Sequence, residues 1–348
     1  MSERAVLCCV PGAWRVLALG VALGAAGGCR PATSAAPDAT AGWQWRQTAA
    51  FAGAPLWFSA AFTVGTGAYV GTGYDLTTAF WRYDPDSDMW ARRADFGGAP
   101  RGAAVAFAIG TRGYLGLGFG SPEVRFADLW EYDPDADRWT QKAPLPGAPR
   151  DHVAAFVIGQ RAYVVGGMTC DGSACAALKE VWAYDPQADA WTRKADLPEE
   201  TTAAACFVLN GIGYVATGMA GPLSAAAPSA NLWAYDPQSD TWARKADLPG
   251  PARYRAVGFS LGGTGYIATG MAAVTATSAV VFRDVWEYDS RTDAWTRRGD
   301  LRGAARGAAV SFTLGSRVYI GTGVGADLGL LSDFWSGAPV APASEEGK

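Results

Sequence analysis

Four arginines occupy one repeated place in this 348-residue chain: Arg101, Arg150, Arg253 and Arg306, each six residues ahead of a phenylalanine in an apolar run. Guanidinium groups gathered on one face suit a carboxylate or a sulfate, which arginine grips through two parallel hydrogen bonds. His152 and Arg255 stand two residues further along, hence on the same side of an extended strand. Tyr254 lies between Arg253 and Arg255, and the equivalent stretch of the fourth repeat offers Glu199 and Glu200 instead. Imidazole and carboxylate groups beside a bound acid are the ones that move protons. Trp57, between Leu56 and Phe58, offers a ring face for a sugar. A structural reading stands beside the chemical one. In it the arginines pair with the backbone or a carboxylate of a neighbouring repeat, and Trp57 packs into a core.

Other candidate motifs dissolve. Gly258-Phe259-Ser260-Leu261-Gly262 matches a hydrolase nucleophile elbow, but Ser260 aligns with Thr63, Ala108, Val157, Val208 and Thr313 as a strand-end variant. Asp84-Pro85-Asp86-Ser87-Asp88 and Asp133-Pro134-Asp135-Ala136-Asp137 open like a calcium loop. Later copies put Gln187 and Gln238 at the middle carboxylate, so an Asp-Pro turn explains them better. The Gly-x-Gly strings end strands with no helix after them, which leaves a dinucleotide site unsupported. No metal and no cofactor are expected. His152 is the only histidine, so a metal pair at Cys170 and Cys175 would lack the usual partners. In an exported protein those two cysteines close a small disulfide loop, and Cys206, in an apolar strand, reads as a buried thiol.

The elements that hold these residues are short strands in a repeat. Phe62, Phe107, Phe156, Phe207, Phe259 and Phe312 are each followed seven residues later by Tyr69, Tyr114, Tyr163, Tyr214, Tyr266 and Tyr319, opening runs that end on glycine. Trp81, Trp130, Trp182, Trp233, Trp286 and Trp335 come next, and the first five have a second tryptophan nine residues on. A period near 50 residues with four strand patterns per unit predicts an all-β fold, a six-bladed propeller. Trp335 lacks its partner, while Trp45 stands seventeen residues before Phe62, the spacing that separates Trp90 from Phe107. Residues 43–47 are therefore expected to complete the sixth blade and remove its open edge.

The stretch Leu129-Trp130-Glu131-Tyr132-Asp133-Pro134 to Trp139, its four copies, and Tyr163 to Gly166-Gly167 resemble kelch repeats. The resemblance spans about 43–335 and implies fold more than function, since kelch propellers include enzymes, scaffolds and glycan binders. It also brings to mind, by similarity, the bacterial sialic-acid mutarotases, in which an anionic sugar sits over the channel. On that reading Arg150, Arg253 and Arg255 hold a carboxylate while His152 or Glu200 moves protons. A cupric oxidase of the galactose-oxidase type needs two histidine ligands, and one histidine excludes it.

Spacing locates the variable face. Between the closing glycine and the residue before Trp, the six units hold 6, 10, 13, 13, 14 and 10 residues, whereas the other connections barely change. Long dissimilar loops on a rigid scaffold are where ligands are expected. That face carries all the candidate ligand residues above.

The ends and the charge set the cellular context. Arg4 and Arg15 precede the apolar run 16–26 and the small residues before Cys29, a signal-peptide pattern too short to span a membrane. It resembles a bacterial lipobox with Cys29 as the lipidation site. The expected organisation is 1–28 signal peptide, 29–42 tether, 43–335 propeller and 336–348 tail. A formal charge of −4 argues against nucleic acid as partner. The expectation is a monomeric binding module in the bacterial cell envelope, lipid-anchored or periplasmic, taking a glycan or an envelope protein. The alternative is a mutarotase-like enzyme, and the membrane is met only through the anchor.

Overall fold

The computed structural model describes residues 42–121, 124–171 and 174–340. The expected signal peptide, Cys29, nearly all of the expected tether and residues 341–348 lie outside them. Among the described residues no helix is long and apolar enough to cross a membrane.

Six four-stranded antiparallel sheets make up the fold. The first blade runs Ala60–Val64, Gly67–Gly71, Phe80–Asp84 and Met89–Arg92, here called strands a to d. Strand a alternates buried and half-buried positions, and strand b is buried throughout, as expected for a strand covered by a blade on each side. The repeated Phe and Tyr are cross-strand partners in register, Phe62 opposite Tyr69 and Phe207 opposite Tyr214. Their rings stack at 5.2 and 5.0 Å, a pairing that adds to area burial.

The ring closes as the spacing predicts. Trp43–Thr48 pairs with Phe334–Pro339, which continues through Arg317–Gly321 to Val310–Leu314 in one sheet. The sixth blade therefore extends beyond the expected boundary at 335, because four more residues pair with the N-terminal strand. A second closure runs through the backbone. The glycine ending each strand b donates to the carbonyl of the link that enters the next blade: Gly73 to Arg101, Gly118 to Arg150, Gly167 to Thr201, Gly218 to Arg253 and Gly270 to Arg306. Gly323 donates to Leu56 at 2.8 Å and completes the circle.

The Tyr-Asp-Pro-x-x-Asp-x-Trp hairpins, with Ser290 in place of the proline in the fifth blade, stitch neighbouring blades. Asp88, Asp137, Asp189, Asp240 and Asp293 accept the hydroxyl of their own blade's tyrosine at 2.5–2.7 Å. Each also accepts the backbone N–H of Ala49, Ala94, Ala143, Ala195 or Ala246 at the end of the preceding strand d. The second Trp donates its indole N–H to the same alanine's carbonyl. One hairpin thus satisfies both polar groups of one link residue.

Five stitches serve six interfaces, since the sixth blade's outer strand comes from the far end of the chain. At that interface Gly337 stands opposite Trp45, where the other blades have Tyr opposite Trp. A Cβ on Gly337 would come within 2.5 Å of the Trp45 ring. Trp43 stacks on Trp45 at 5.3 Å and meets Phe259 and Tyr266 edge to face. One interface earlier, Tyr288 makes those contacts with Phe207 and Tyr214.

Candidate functional site

The four repeated arginines do not line a binding surface, which corrects the expectation for them. Arg101, Arg150, Arg253 and Arg306 are fully buried. Each pairs with an acid of its own blade, two residues before that blade's first Trp: Asp128, Glu180, Asp284 and Asp333. Their Nη1 atoms donate to the carbonyls of Leu117, Gly166, Thr269 and Thr322, and their Nε atoms to the residue two earlier. The Trp indoles complete the set; Trp286 donates to Asp284 at 2.6 Å and Trp335 to Asp333 at 2.6 Å. Burial alone would raise the carboxyls of Asp284, Asp333 and Glu180, but the arginine hydrogen bonds and charges hold all three below the usual range. Every donor faces inward, so the ring pins links to blades.

The exceptional blades substitute other chemistry. In the fourth, Glu199 reaches back to Asn231 and to the Trp233 indole at 2.6 Å. Glu199 is therefore a structural group. Glu200 is half-buried beside it, its carbonyl accepting from Gly221. In the first blade Leu56 and Ala79 replace both partners, and the Trp81 indole is left without an acceptor.

Two residues beyond the arginine position lies an inner ring that does converge: Phe58, Ala103, His152, Ala203, Arg255 and Ala308. All six adopt left-handed backbone, with φ between 48° and 58°. That conformation costs a non-glycine residue of order 1 kcal/mol. Hydrogen bonds hold it: Ala103 N–H to Phe58, His152 to Ala103, Ala203 to His152, Arg255 to Ala203 and Ala308 to Arg255. Large side chains alternate with alanines, so blades one, three and five supply the chemistry. The His152 ring meets Phe58 edge to face at 4.9 Å, and the Arg255 guanidinium lies 4.2 Å over the same ring. Tyr254, buried, and Trp57 stand at 5.2 and 6.0 Å from that guanidinium.

The polar groups here are only partly satisfied. Arg255 Nη1 reaches the Met271 sulfur at 3.7 Å, while its Nε is buried with no hydrogen-bond partner among the described residues. Burial lowers the Arg255 pKa, partly offset by Tyr254, Asp151 and Tyr74. His152 Nδ1 binds Asp151 at 2.6 Å, and Asp151, fully buried, also accepts from Arg125 at 2.9 Å. His152 Nε2 is buried and partnerless. Unmade hydrogen bonds cost about 1–3 kcal/mol each.

Of the expected site residues, the structure brings together Trp57, His152, Tyr254 and Arg255, and sets Arg101, Arg150, Arg253 and Arg306 apart. Trp57 does pack, on Phe58 at 4.5 Å and Tyr74 at 4.7 Å, so its ring belongs to the wall of this cluster. Sequence reasoning missed Asp151, Phe58, Met271 and Phe119, whose ring stacks against His152 at 6.1 Å. Asp151 carried a signal, being the one acid where other repeats place Trp57, Gly102, Thr202, Tyr254 and Gly307. Cys170 and Cys175 are joined in the described structure. Cys206 is half-buried, and its thiol, pushed up by desolvation to about 11, donates to the Ala155 carbonyl. No cluster of metal-ligating side chains occurs among the described residues.

The architecture and its stitches define a kelch-type β-propeller. Comparison with known proteins agrees: the kelch motif matches residues 149–198, the repeat that keeps Gly166-Gly167. Kelch-like protein 25 of Xenopus tropicalis is 33% identical over 162 residues, 45% of this chain and 26% of that protein. The solved structure of YjhT superposes with a TM-score of 0.69 at 17% identity, covering 82% of this chain and 95% of YjhT. Residues 149–198 carry a kelch motif, and the fold around them is that of a kelch-type propeller. The chain's match spans about a quarter of the Kelch-like relative, and the YjhT likeness concerns the fold.

Proposed function

We propose that this protein is a binding module whose long-loop face takes an acidic sugar at the inner ring, with Arg255 as the anion contact. The observation that carries the reading is the Arg255 guanidinium, held over Phe58 with Nε partnerless and no ion pair among the described residues. Trp57, Tyr254 and Phe58 surround it with ring faces, which suits a pyranose carrying a carboxylate. The sequence of residues 1–29 supports export and a lipid anchor at Cys29, which places the module in the bacterial envelope. Mass analysis of the mature N-terminus tests that: an unlipidated Cys29, or an uncleaved chain, contradicts it.

A glycan-array screen at two salt concentrations tests the ligand class. Salt-sensitive binding of acidic sugars is expected; binding confined to an envelope protein partner would replace the glycan by a protein ligand.

The His152–Asp151 pair favours a second reading, catalysis of anomer exchange. Asp151 fixes the imidazole through Nδ1 and leaves Nε2 as the proton-transfer atom, while Arg255 holds the carboxylate. Exchange measured by NMR should vanish in His152→Ala. An absence of exchange in the wild type ends this reading and leaves the binding module intact.

A further inference from the structure

The sixth blade has no hairpin of its own, and a groove runs along its outer strand at the interface with blade five, reaching Arg283 and Asp300–Arg302 beside the start of that blade's strand c and the end of its strand d. Where other interfaces are covered by a Tyr-Asp-Pro or Tyr-Asp-Ser turn, the interface between blades five and six opens into a cavity of about 800 Å3. Trp43 and Trp45 form one wall, and Arg46, Arg283, Arg302 and Arg317 surround it, against a single acid, Asp300. Arg283 and Arg317 are oriented, the first by Asp300 at 3.3 Å, the second by the Ser336 hydroxyl and carbonyl. Arg46 and Arg302 are exposed and have no hydrogen-bond or ion-pair partner among the described residues. The Trp45 indole N–H, whose equivalents in five other blades donate to an alanine carbonyl, is buried without a hydrogen-bond partner among the described residues.

A second cavity of about 400 Å3, lined by Pro85, Asp86 and Tyr319, shares Arg46 and Arg317 with the first, so the joined track sets four arginines against two acids, Asp86 and Asp300. The two form one track across the edge of blade six. Four guanidiniums along that track call for several carboxylates rather than one. The half-buried tryptophans offer flat apolar area of the kind that the C–H face of a pyranose covers.

We infer that this track is a second binding site, for an extended carboxylate-bearing oligosaccharide. It is independent of the inner-ring reading, since it shares no residue with it. The site exists because blade six is assembled from both ends of the chain.

Titration calorimetry of the full protein with oligogalacturonate tests the inference. Binding is expected, weakened at least tenfold in Arg46→Glu/Arg302→Glu, whose exposed positions leave the melting curve unchanged. Failure of oligogalacturonate to bind, or equal binding by the double variant, overturns the site. Equal binding of a neutral galactose oligomer overturns the carboxylate requirement. Tighter binding of poly-glutamate than of oligogalacturonate overturns the saccharide class.

Discussion

Trp43 meets Tyr266 edge to face at 5.2 Å, filling the place at the interface of blades five and six that a tyrosine fills elsewhere. The contact takes the place of the hairpin stitch that this interface alone lacks. Trp43→Ala should lower unfolding stability by about 3–5 kcal/mol, the range for a large aromatic removed from a packed site. Urea unfolding measures it. A loss below about 1 kcal/mol would mean that strand pairing with Phe334–Pro339 suffices.

Arg253→Ala leaves the half-buried Asp284 with only the Trp286 indole and the nearby Arg297 charge, at a cost of about 1–3 kcal/mol. The inner ring is separately built, so acidic-sugar affinity of the folded protein should be unchanged. A selective loss of affinity with stability preserved would return Arg253 to the ligand site.

Acid should unfold the propeller. The carboxyls of Asp189, Asp240 and Asp293, like those of Glu180, Asp284 and Asp333, are raised by burial yet held below their ordinary values overall by hydrogen bonds and nearby cations. A depressed folded-state pKa gives stability that is present above the unfolded value, about 4, and lost as pH falls through the folded one. Stability should therefore hold from neutrality to about pH 5 and fall below about pH 4. A midpoint in urea that is the same at pH 3 and pH 7 would show that these contacts contribute nothing.

Blade number and closure were legible because they follow from main-chain spacing, which the aromatic grid records directly. Trp43 was not, because its role depends on Gly337 nearly three hundred residues away. The arginine ring was visible, but its partners were not read, although they too recur. An acid stands before the first Trp in every blade that has the arginine, while Thr201 goes with Asn231 and Leu56 with Ala79. That internal pairing separates a structural arginine from a ligand-binding one. Arg255 and His152 were singled out for breaking the repeat, and the structure does bring them to one ring. Phe58 stayed hidden because its importance lies in a left-handed backbone that its side chain does not advertise.

The most direct measurement of the central claim is calorimetric titration of an acidic monosaccharide such as N-acetylneuraminate into wild type, Arg255→Gln and Arg253→Ala. The account predicts binding that Arg255→Gln abolishes or weakens at least tenfold while Arg253→Ala, where folded, retains it. Undiminished binding to Arg255→Gln would contradict it.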